Sequence, residues 1–572
     1  MKKLLKYMKG YGKECILAPL FKMLEASFEL FVPLVVAGII DRGIENGDKG
    51  HIVSMCLVLV ALGVVGLVSA VVAQFFSAKA AVGFAARLRH TVMAHVLKLS
   101  YTELDSVGTA TIVTRMTSDI NQVQNGVNLA LRLLLRSPFV VFGAMIMAFT
   151  IDAQAALVFL GAIAVLCVVV FGIMLLSMPA FRRVQEKLDK VTSATRENMT
   201  GVRVLRAFRM EKTETEQFSQ KTDGLNAAQL IAGRISNLMN PITFVLINLA
   251  IILLMYTGAV KVEQGILTQG MVVALYNYMS QILVELIKMA NLIISITKAV
   301  ACGNRIQAVL EIPAEKATGE EISLAGKVEF RDVSARYKGA GENTLTSVSF
   351  TAEAGKTVGI IGGTGAGKTT LVNLIPRLYD AFEGTVLIDD KDVKTLNKTS
   401  LCSQIGIVPQ KSVLFRGTIR ENFLWGNPRA TDEELMCAVT AAQASDILNA
   451  KGGLDGIVEQ GGRNFSGGQR QRLAIARALV RKPKILILDD SASALDYATD
   501  AALRMAIRKM EPAPTTFIVS QRAASVRYAD LIIVLDDGLV VGMGDSDTLL
   551  KTCPVYAQIY RTQFAEEVAE NA

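Results

Sequence analysis

Six long apolar segments in the first half of the chain limit its possible folds more than any other feature. Each is long enough for a helix to cross a hydrocarbon core of about 30 Å. The 572-residue chain is 51% hydrophobic but also 20% charged, so we expect an all-α polytopic membrane domain joined to a soluble domain. The segments lie at about residues 16–41, 52–76, 131–151, 154–178, 239–260 and 270–298.

The connectors between these segments predict the orientation in the membrane. Three are short, at residues 42–51, 150–153 and 261–270, and two are long and rich in Arg and Lys. Basic connectors remain in the cytoplasm, so the short ones face outward. The start of the chain is rich in lysine, so we expect a cytoplasmic N-terminus. It lacks a continuous apolar core and a cleavage site, so we expect no cleaved signal peptide.

The two long connectors predict helices that continue out of the membrane, over residues 78–99 and 182–197. Each connector also contains a break suited to a short crosswise helix. The first break is at residues 104–109 and leads into 114–119, and the second is at 197–208. Taken alone, both breaks are better explained as plain amphipathic surface helices.

Several polar residues lie at membrane depth. Glu25 and Glu29 are four apart, so they share one face of the first helix. Intramembrane charges are costly and usually face a cavity or pair with each other, so a substrate cavity and simple helix–helix contact are both open readings. The other polar residues within the segments are Asn240, Asn248, Asn277, Gln281, Glu285 and Lys288.

A polar stretch after the sixth segment marks a domain boundary. We predict a membrane domain over residues 1–312, a linker over 313–326 and a soluble domain over 327–572. The formal net charge of +8 does not indicate nucleic-acid binding, because Lys and Arg crowd beside the apolar segments. Seven scattered cysteines without a CxxC pair indicate neither a disulfide framework nor a zinc site.

A glycine-rich loop in the second half predicts a phosphate-binding site. An apolar run at 358–361 predicts a strand before it, and helical spacing at 371–375 predicts a helix after it. Glycines let backbone N–H groups surround phosphate oxygens, Lys368 can reach the β- and γ-phosphates, and Thr369 can offer its hydroxyl to Mg²⁺. We therefore predict binding of a nucleoside triphosphate by a phosphate loop of Gly362, Gly363, Thr364, Gly365, Ala366, Gly367, Lys368, Thr369 and Thr370.

Further motifs follow the phosphate loop. Two apolar runs predict strands that end near Gln410, a candidate for Mg²⁺ or water contact, and at Asp489, a candidate Mg²⁺ carboxylate. Asp490 is placed to orient the attacking water. The alternating residues 328–333 predict an edge strand, and Tyr337 could stack on an adenine ring or simply pack. A second helix start with an anion-binding N-terminus is predicted at Ser466, Gly467, Gly468 and Gln469.

These motifs, in this order after six membrane segments, resemble the ABC exporter family, and the resemblance covers nearly the whole chain. It implies an α/β P-loop ABC ATPase domain that uses ATP and Mg²⁺, with Tyr337 stacking on adenine. It also implies that Ser466 to Gln469, the signature segment, completes the ATP site of a partner subunit. The loop at residues 493–496, which includes Asp496, then bridges the two sites, and the two connector breaks become coupling helices.

The chain departs from the family at two positions of its own ATP site. Asp490 stands where the family has a catalytic Glu, and Gln521 stands where it has a switch His. Asp is one methylene shorter than Glu, so its oxygens fall roughly 1–1.5 Å short, a misplacement that can cost about a hundredfold in rate. The signature segment is intact, so we expect a degenerate site here and a competent site on a partner.

The resemblance therefore predicts the degenerate subunit of a heterodimeric multidrug exporter in the plasma membrane. Its partners would be a second exporter half, the lipid bilayer and a lipophilic small molecule. Two alternatives remain: a nucleotide-sensing regulatory membrane subunit, and a homodimeric lipid or peptide exporter. The expectation that the substrates are lipophilic cations depends on Glu25 and Glu29 facing a cavity.

Overall fold

The computed structural model describes residues 2–315, 318–491 and 493–564. Residues 316 and 317 of the expected linker lie outside the described part. The chain forms two compact units: Met1–His95 with Ala110–Ile312, and Val96–Thr109 with Pro313–Ala572. The second unit therefore includes a short segment from the first cytoplasmic connector, which the sequence assigns to the membrane domain.

The first unit is helical. Six helical stretches in the described residues are long and apolar enough to cross a membrane, which confirms the expected number. The helices that precede the first β-strand are a 3₁₀ helix Lys2–Met8, α1 Gly12–Gly38, a π-helical turn Ile39–Ile44, α2 Lys49–Val96, α3 Tyr101–Val107, α4 Thr109–Thr114, a π-helical turn Arg115–Asp119, α5 Ile120–Leu133, α6 Arg136–Ile151, α7 Ala153–Ala207, α8 Glu211–Asn237, α9 Met239–Glu263 and α10 Gln269–Glu311.

The long helices combine a lipid-facing surface with a packed interior. In the most apolar stretch of α2 only 6% of the residues are buried within the protein, as expected where lipid replaces water around an all-helical segment. The interior is built by α1, α6, α7, α9 and α10 around fully buried side chains such as Phe159, Leu275 and Tyr278. The hydroxyl of Tyr278 donates to the carbonyl of Leu30 at 2.7 Å, which ties α10 to α1.

The cytoplasmic connectors confirm one expectation and correct another. Helices α2 and α7 extend 48 and 55 residues, so they do continue beyond the membrane. A short helix, α3, is present in the first connector; it ends at Val107 and is followed by Gly108, whose φ is +77°. In the second connector the predicted break at residues 197–208 is wrong: α7 continues to Ala207, because a single Gly201 within a 55-residue helix costs only about 1 kcal/mol.

The second unit contains two main sheets. A four-stranded antiparallel sheet has the order β2-β1-β4-β5, and a six-stranded sheet has the order β12-β11-β3-β10-β9-β6, parallel except for β12. The strands are β1 Val328–Ala335, β2 Leu345–Ala352, β3 Thr357–Gly362, β4 Glu383–Ile388, β5 Lys391–Asp392, β6 Ile405–Val408, β7 Gly417–Thr418, β8 Ile457–Val458, β9 Ile485–Asp489, β10 Thr515–Ser520, β11 Leu531–Asp536 and β12 Leu539–Gly544.

Helices cover both faces of the six-stranded sheet. The longest, α16, begins directly after the signature segment's Ser466, and α20 closes the described chain. The helices are α11 Lys368–Leu374, α12 Lys398–Ser403, α13 Ile419–Leu424, α14 Asp432–Ala441, α15 Ser445–Lys451, α16 Gly467–Val480, α17 Tyr497–Arg508, α18 Ala523–Val526, α19 Ser546–Thr552 and α20 Pro554–Gln563, with 3₁₀ turns at Gly453–Asp455 and Gln460–Gly462.

The sheet's central strands are buried on both faces, which explains their continuous apolar sequences. In β9, Ile485 and Ile487 belong to one core and Leu486 and Leu488 to the other. Successive side chains point to opposite faces of a strand, so a strand between two cores needs apolar residues at every position. This burial places the polar residues at the strand ends.

One strand prediction is wrong in its position. Strand β1 pairs with β2 on one side and β4 on the other, so it is an inner strand and not an edge. Its alternating pattern arises because one face of this antiparallel sheet packs on a core and the other is more open. A sequence that alternates in this way does not distinguish the two positions.

Candidate functional site

The predicted ATP-site residues meet at the carboxyl ends of four parallel strands. The phosphate loop follows β3, Gln410 lies two residues after β6, Asp489 ends β9, and Gln521 directly follows β10. Ligands of open parallel sheets bind at this edge, where strand ends converge. A cavity of about 270 Å³ there is lined by Thr344, Thr364, Gly365, Gly367, Lys368, Thr369, Thr370, Gln410, Asp489, Asp490, Val519 and Gln521.

Two glycines allow the phosphate loop to pack tightly. A Cβ on Gly362 would lie 2.1 Å from the carbonyl oxygen of Leu535, which no side chain tolerates. Gly367 has a φ of +89°, a left-handed conformation that favours glycine, and it immediately precedes α11. The loop therefore places backbone N–H groups and the start of α11 around one point, which is an anion-binding arrangement.

The side chains of the loop fit a nucleotide with Mg²⁺. Lys368 is buried, and its ammonium donates to the carbonyls of Gly362 and Gly363. The hydroxyl of Thr369 lies 3.0 and 3.1 Å from the two carboxylate oxygens of Asp489. Hydroxyl, carboxylate and amide oxygens are the hard ligands that Mg²⁺ prefers, so these residues and Gln410 form a suitable donor set.

Burial shifts the pKa values of both Lys368 and Asp489. It lowers the pKa of Lys368, although the carboxylates of Asp490 and Asp489 act in the opposite direction. Burial also raises the pKa of Asp489, and the negative charge of Asp490 adds to that shift. Both groups are thus desolvated, and bound Mg²⁺ and phosphates would supply the compensating charges.

Asp490 and Gln521 line the same cavity as the phosphate loop. The backbone N–H of Asp490 donates to the carbonyl of Val519 at 2.9 Å, so neighbouring strand β10 fixes its place. The amide nitrogen of Gln410 lies 3.4 Å from the Asp490 carboxylate, longer than a well-formed hydrogen bond. The structure therefore brings together all three predicted polar residues in one cavity.

The signature segment lies elsewhere in the unit and does not line this cavity as the structure describes it. The hydroxyl of Ser466 accepts from the N–H of Gln469 at 3.3 Å, and the side chain of Gln469 accepts from the N–H of Ser466 at 2.9 Å. This reciprocal capping box starts α16. The first-turn N–H groups of Gly467 and Gly468 are left for an external acceptor.

The residues 493–496, the bridging loop, are held by two side chains that the sequence reasoning missed. Gln471 of α16 bonds the hydroxyl of Ser493 and the N–H of Ala494, at 3.3 and 3.2 Å. Arg522 donates to the carbonyls of Ser493 and Leu495, at 2.8 and 3.1 Å. Their only sequence signals were proximity to the signature segment and to Gln521. Asp496 ends the loop and caps α17 by accepting from the N–H of Thr499.

Tyr337 lies beside the phosphate loop and has an unexpected neighbour. Its hydroxyl lies 2.9 Å from the hydroxyl of Thr370, and its ring contacts Tyr379 edge to face at 5.2 Å. The hydroxyl of Tyr379 donates to Asp105 of α3 at 2.6 Å. Burial, followed by the hydrogen bond to Asp105, raises the pKa of Tyr379. Sequence reasoning missed Tyr379, which joins the short connector helix to Tyr337.

Comparison with known proteins decides the family. One family model, the ABC transporter transmembrane region, matches residues 15–286, and another, ABC transporter, matches residues 345–493. The chain is 35% identical to the uncharacterized ABC transporter ATP-binding protein YfiB of Bacillus subtilis (strain 168), over 100% of both chains. The chain belongs to the ABC transporter family.

Further comparisons agree with an ABC exporter. The chain is 29% identical to an ATP-dependent lipid A-core flippase of Yersinia pestis bv. Antiqua (strain Antiqua), covering 97% of this chain and 96% of the relative. Its fold matches a bacterial Atm1-family ABC exporter with ATP bound, with a TM-score of 0.81 at 23% identity over 96% of this chain and 98% of that one. The protein is an ABC exporter half-transporter: a multi-pass membrane region fused to a cytoplasmic ATPase domain.

The exporter's membrane unit contains a polar cluster whose central residue the sequence reasoning missed. Arg136 of α6 is buried and bonds Glu285 of α10 and, at 2.6 Å, Glu29 of α1. Ser137 and Lys288 each lie 2.9 Å from the Glu285 carboxylate. Arg136 lies within the segment predicted at residues 131–151 and was not among the polar residues singled out there. These five residues form the polar cluster.

The polar cluster changes the reading of the acidic residues in α1. Glu25 pairs with Lys22, and Glu29 pairs with Arg136, so both negative charges are compensated within the unit. Gln281 also donates to the backbone carbonyl of Glu29, at 3.4 Å, and thus serves as an interhelical contact. Glu25 and Glu29 therefore both have basic partners within the unit, and cationic substrates stay a prediction that this pairing does not support.

Proposed function

We propose that this exporter half works as the degenerate subunit of a heterodimer. The observation that supports it is the cavity at the phosphate loop, where Asp490 and Gln521 lie together with Lys368, Thr369 and Asp489, the residues predicted to bind ATP and Mg²⁺. The binding groups, Lys368, Thr369 and Asp489, are in place, while the two groups that would drive hydrolysis are changed. ATP therefore binds at this site and turns over slowly.

The intact signature segment supports the second half of the proposal. Its capping box presents the N–H groups of Gly467 and Gly468 at the start of α16, away from the chain's own phosphate loop. Such a helix start attracts phosphate oxygens. It completes a competent ATP site on a partner that supplies its own phosphate loop, Glu and His. Two copies of this chain would instead combine two slow sites.

The transported compound is a lipophilic small molecule moved out across the plasma membrane. The membrane unit offers largely apolar helix surfaces, and its acidic residues in α1 are paired. Binding of ATP draws the two ATPase domains together, and the cytoplasmic connectors transmit the movement to the membrane helices. The proposal thus includes both drug export and assembly as a heterodimer.

Two substitutions in this chain test the proposed asymmetry. Ser466→Ala removes a signature ligand that serves the partner's ATP, and Lys368→Ala removes a ligand of the chain's own ATP. In the purified complex with the proposed partner half, Ser466→Ala should lower steady-state hydrolysis by about a hundredfold. Lys368→Ala should lower it by less than about tenfold, because this site contributes little turnover.

Thr431→Ala is the matched control for Ser466→Ala. Thr431 caps α14 with the same reciprocal arrangement, through Glu434, and its loss removes a cap without touching a nucleotide site. Equal losses for Ser466→Ala and Lys368→Ala would contradict the asymmetry and favour a homodimeric exporter. Dye efflux from vesicles that continues after Glu→Gln at the partner's catalytic position would contradict ATP-driven export, and absence of any uphill efflux would favour a regulatory subunit.

A further inference from the structure

The last residue of the C-terminal helix α20 contacts the loop that carries Gln521. The side-chain oxygen of Gln563 accepts from the N–H of Ala523 at 2.7 Å. Its side-chain nitrogen donates to the carbonyl of Gln521 at 2.8 Å. One amide thus pairs with the backbone on both sides of Arg522.

Helix α20 is a firm base for this contact. Tyr556 is fully buried and its hydroxyl lies 2.9 Å from the hydroxyl of Ser546, which anchors the helix start. Near the helix end the guanidinium of Arg527 lies over the rings of Tyr560 and Phe564, at 5.6 and 5.9 Å. The position of Gln563 is therefore set by packing outside the nucleotide cavity.

The loop after β10 is held from a second direction. Arg522 bonds the bridging loop through its side chain, and its N–H donates to the hydroxyl of Ser520 at 3.0 Å. Between these anchors, Gln521 has its side chain at the phosphate cavity and its carbonyl on Gln563. The direction of the Gln521 side chain depends on the peptide that Gln563 fixes.

We propose that Gln563 is a positioning residue that holds Gln521 toward the γ-phosphate of ATP bound at this chain's own site. The inference rests on the proposed function, which places Gln521 at that phosphate. Only a primary amide of this length supplies one donor and one acceptor together in this geometry. The C-terminal helix thereby sets how well the site distinguishes ATP from ADP, since ADP has no γ-phosphate for Gln521 to contact.

Gln563→Glu separates the two hydrogen bonds. The carboxylate still accepts from Ala523 but has no N–H for the carbonyl of Gln521, and its oxygen is repelled there. With the full-length chain in detergent and Mg²⁺, displacement of a fluorescent ATP analogue by AMP-PNP should require about tenfold more AMP-PNP. Displacement by ADP should be unchanged, and this constancy also shows that the variant is folded.

Gln558→Glu is the matched control, because it adds the same charge to an exposed position of the same helix and should change neither displacement. Gln521→Ala completes the test. It should weaken AMP-PNP binding by a similar factor, and adding Gln563→Glu to it should have no further effect.

Each departure from these results overturns a defined claim. Equal weakening of AMP-PNP and ADP by Gln563→Glu would reduce Gln563 to a structural contact and overturn the inference. An effect of Gln521→Ala without one of Gln563→Glu would overturn it as well, while leaving the proposed function intact. No effect of Gln521→Ala on AMP-PNP would instead overturn the proposed role of Gln521, and this inference with it.

Discussion

Under the proposed function, two substitutions should make this chain's own ATP site hydrolyse ATP faster. The backbone of Asp490 is fixed by its bond to Val519 at 2.9 Å, so the backbone cannot move forward to offset the short side chain. Glu at this position adds one methylene and extends the carboxylate by roughly 1–1.5 Å. A misplacement of that size lowers the hydrolysis rate by about a hundredfold, which corresponds to about 2.7 kcal/mol of activation free energy. Gln521→His adds a group that can carry a positive charge beside the γ-phosphate.

The assay must report this site alone. In the complex, Glu→Gln at the partner's catalytic position stops hydrolysis at the competent site. Phosphate release then measures hydrolysis of the ATP bound at Lys368 in this chain's own site. We expect Asp490→Glu to raise this rate by about ten- to a hundredfold and Asp490→Glu with Gln521→His to raise it further. Asp489→Glu is the matched control: it lengthens the carboxylate bonded to Thr369 instead and should lower the rate.

A defective signature segment on the partner could mask the repair, so the same experiment is repeated with this chain's own sequence from Phe465 to Gln469 grafted into the partner. A double variant that still hydrolyses at the original rate after this graft would refute the assignment of the degeneracy to Asp490 and Gln521. A graft that alone restores the rate would locate the defect in the partner.

Two further predictions concern contacts that sequence reasoning missed. Tyr379→Ala should weaken ATP binding about three- to tenfold in nucleotide displacement, because it removes the aromatic neighbour of Tyr337, while Tyr379→Phe should stay near wild type; equal losses for both variants would contradict this. Arg136→Met should destabilise the protein by about 3 kcal/mol in thermal unfolding, because it leaves Glu285 buried and short of a partner, and adding Glu285→Gln should recover most of that loss. Lys3→Met, which breaks the exposed pair with Glu311, should leave thermal unfolding nearly unchanged; a loss as large as that of Arg136→Met would contradict the role of burial.

Features set by local sequence were predictable. The apolar strands before Gln410 and Asp489 and the apolar helices are continuous runs whose period or length identifies them without knowledge of the neighbours. The positions of Gln410, Asp489 and Gln521 at one cavity followed as well, because strand ends of a parallel sheet meet at one edge. The predicted break at residues 197–208 failed because helix continuation there is a balance of about 1 kcal/mol that no motif settles.

Features set by long-range pairing were not predictable. Arg136 and Glu285 are 149 positions apart, and Tyr379 and Asp105 are 274 apart, so nothing in either local sequence specifies the partner. The same holds for Gln563, whose contact with the loop after β10 arises from the packing of α20. A charged or amide residue announces a need for a partner, but only the fold supplies one.

The bridging loop gives a physical reason why a chain with slow hydrolysis would retain a complete ATP-binding loop. Gln521 is followed by Arg522, which holds the carbonyls of Ser493 and Leu495, and the same loop is held by Gln471 of the signature helix α16. A shift of the loop after β10 therefore displaces the bridging loop, and with it the helix whose start carries the signature segment. Under the proposed function, ATP held at Lys368 stabilises one arrangement of these contacts whether or not it is split. Binding without turnover is then sufficient for this site to influence hydrolysis on the partner's phosphate loop.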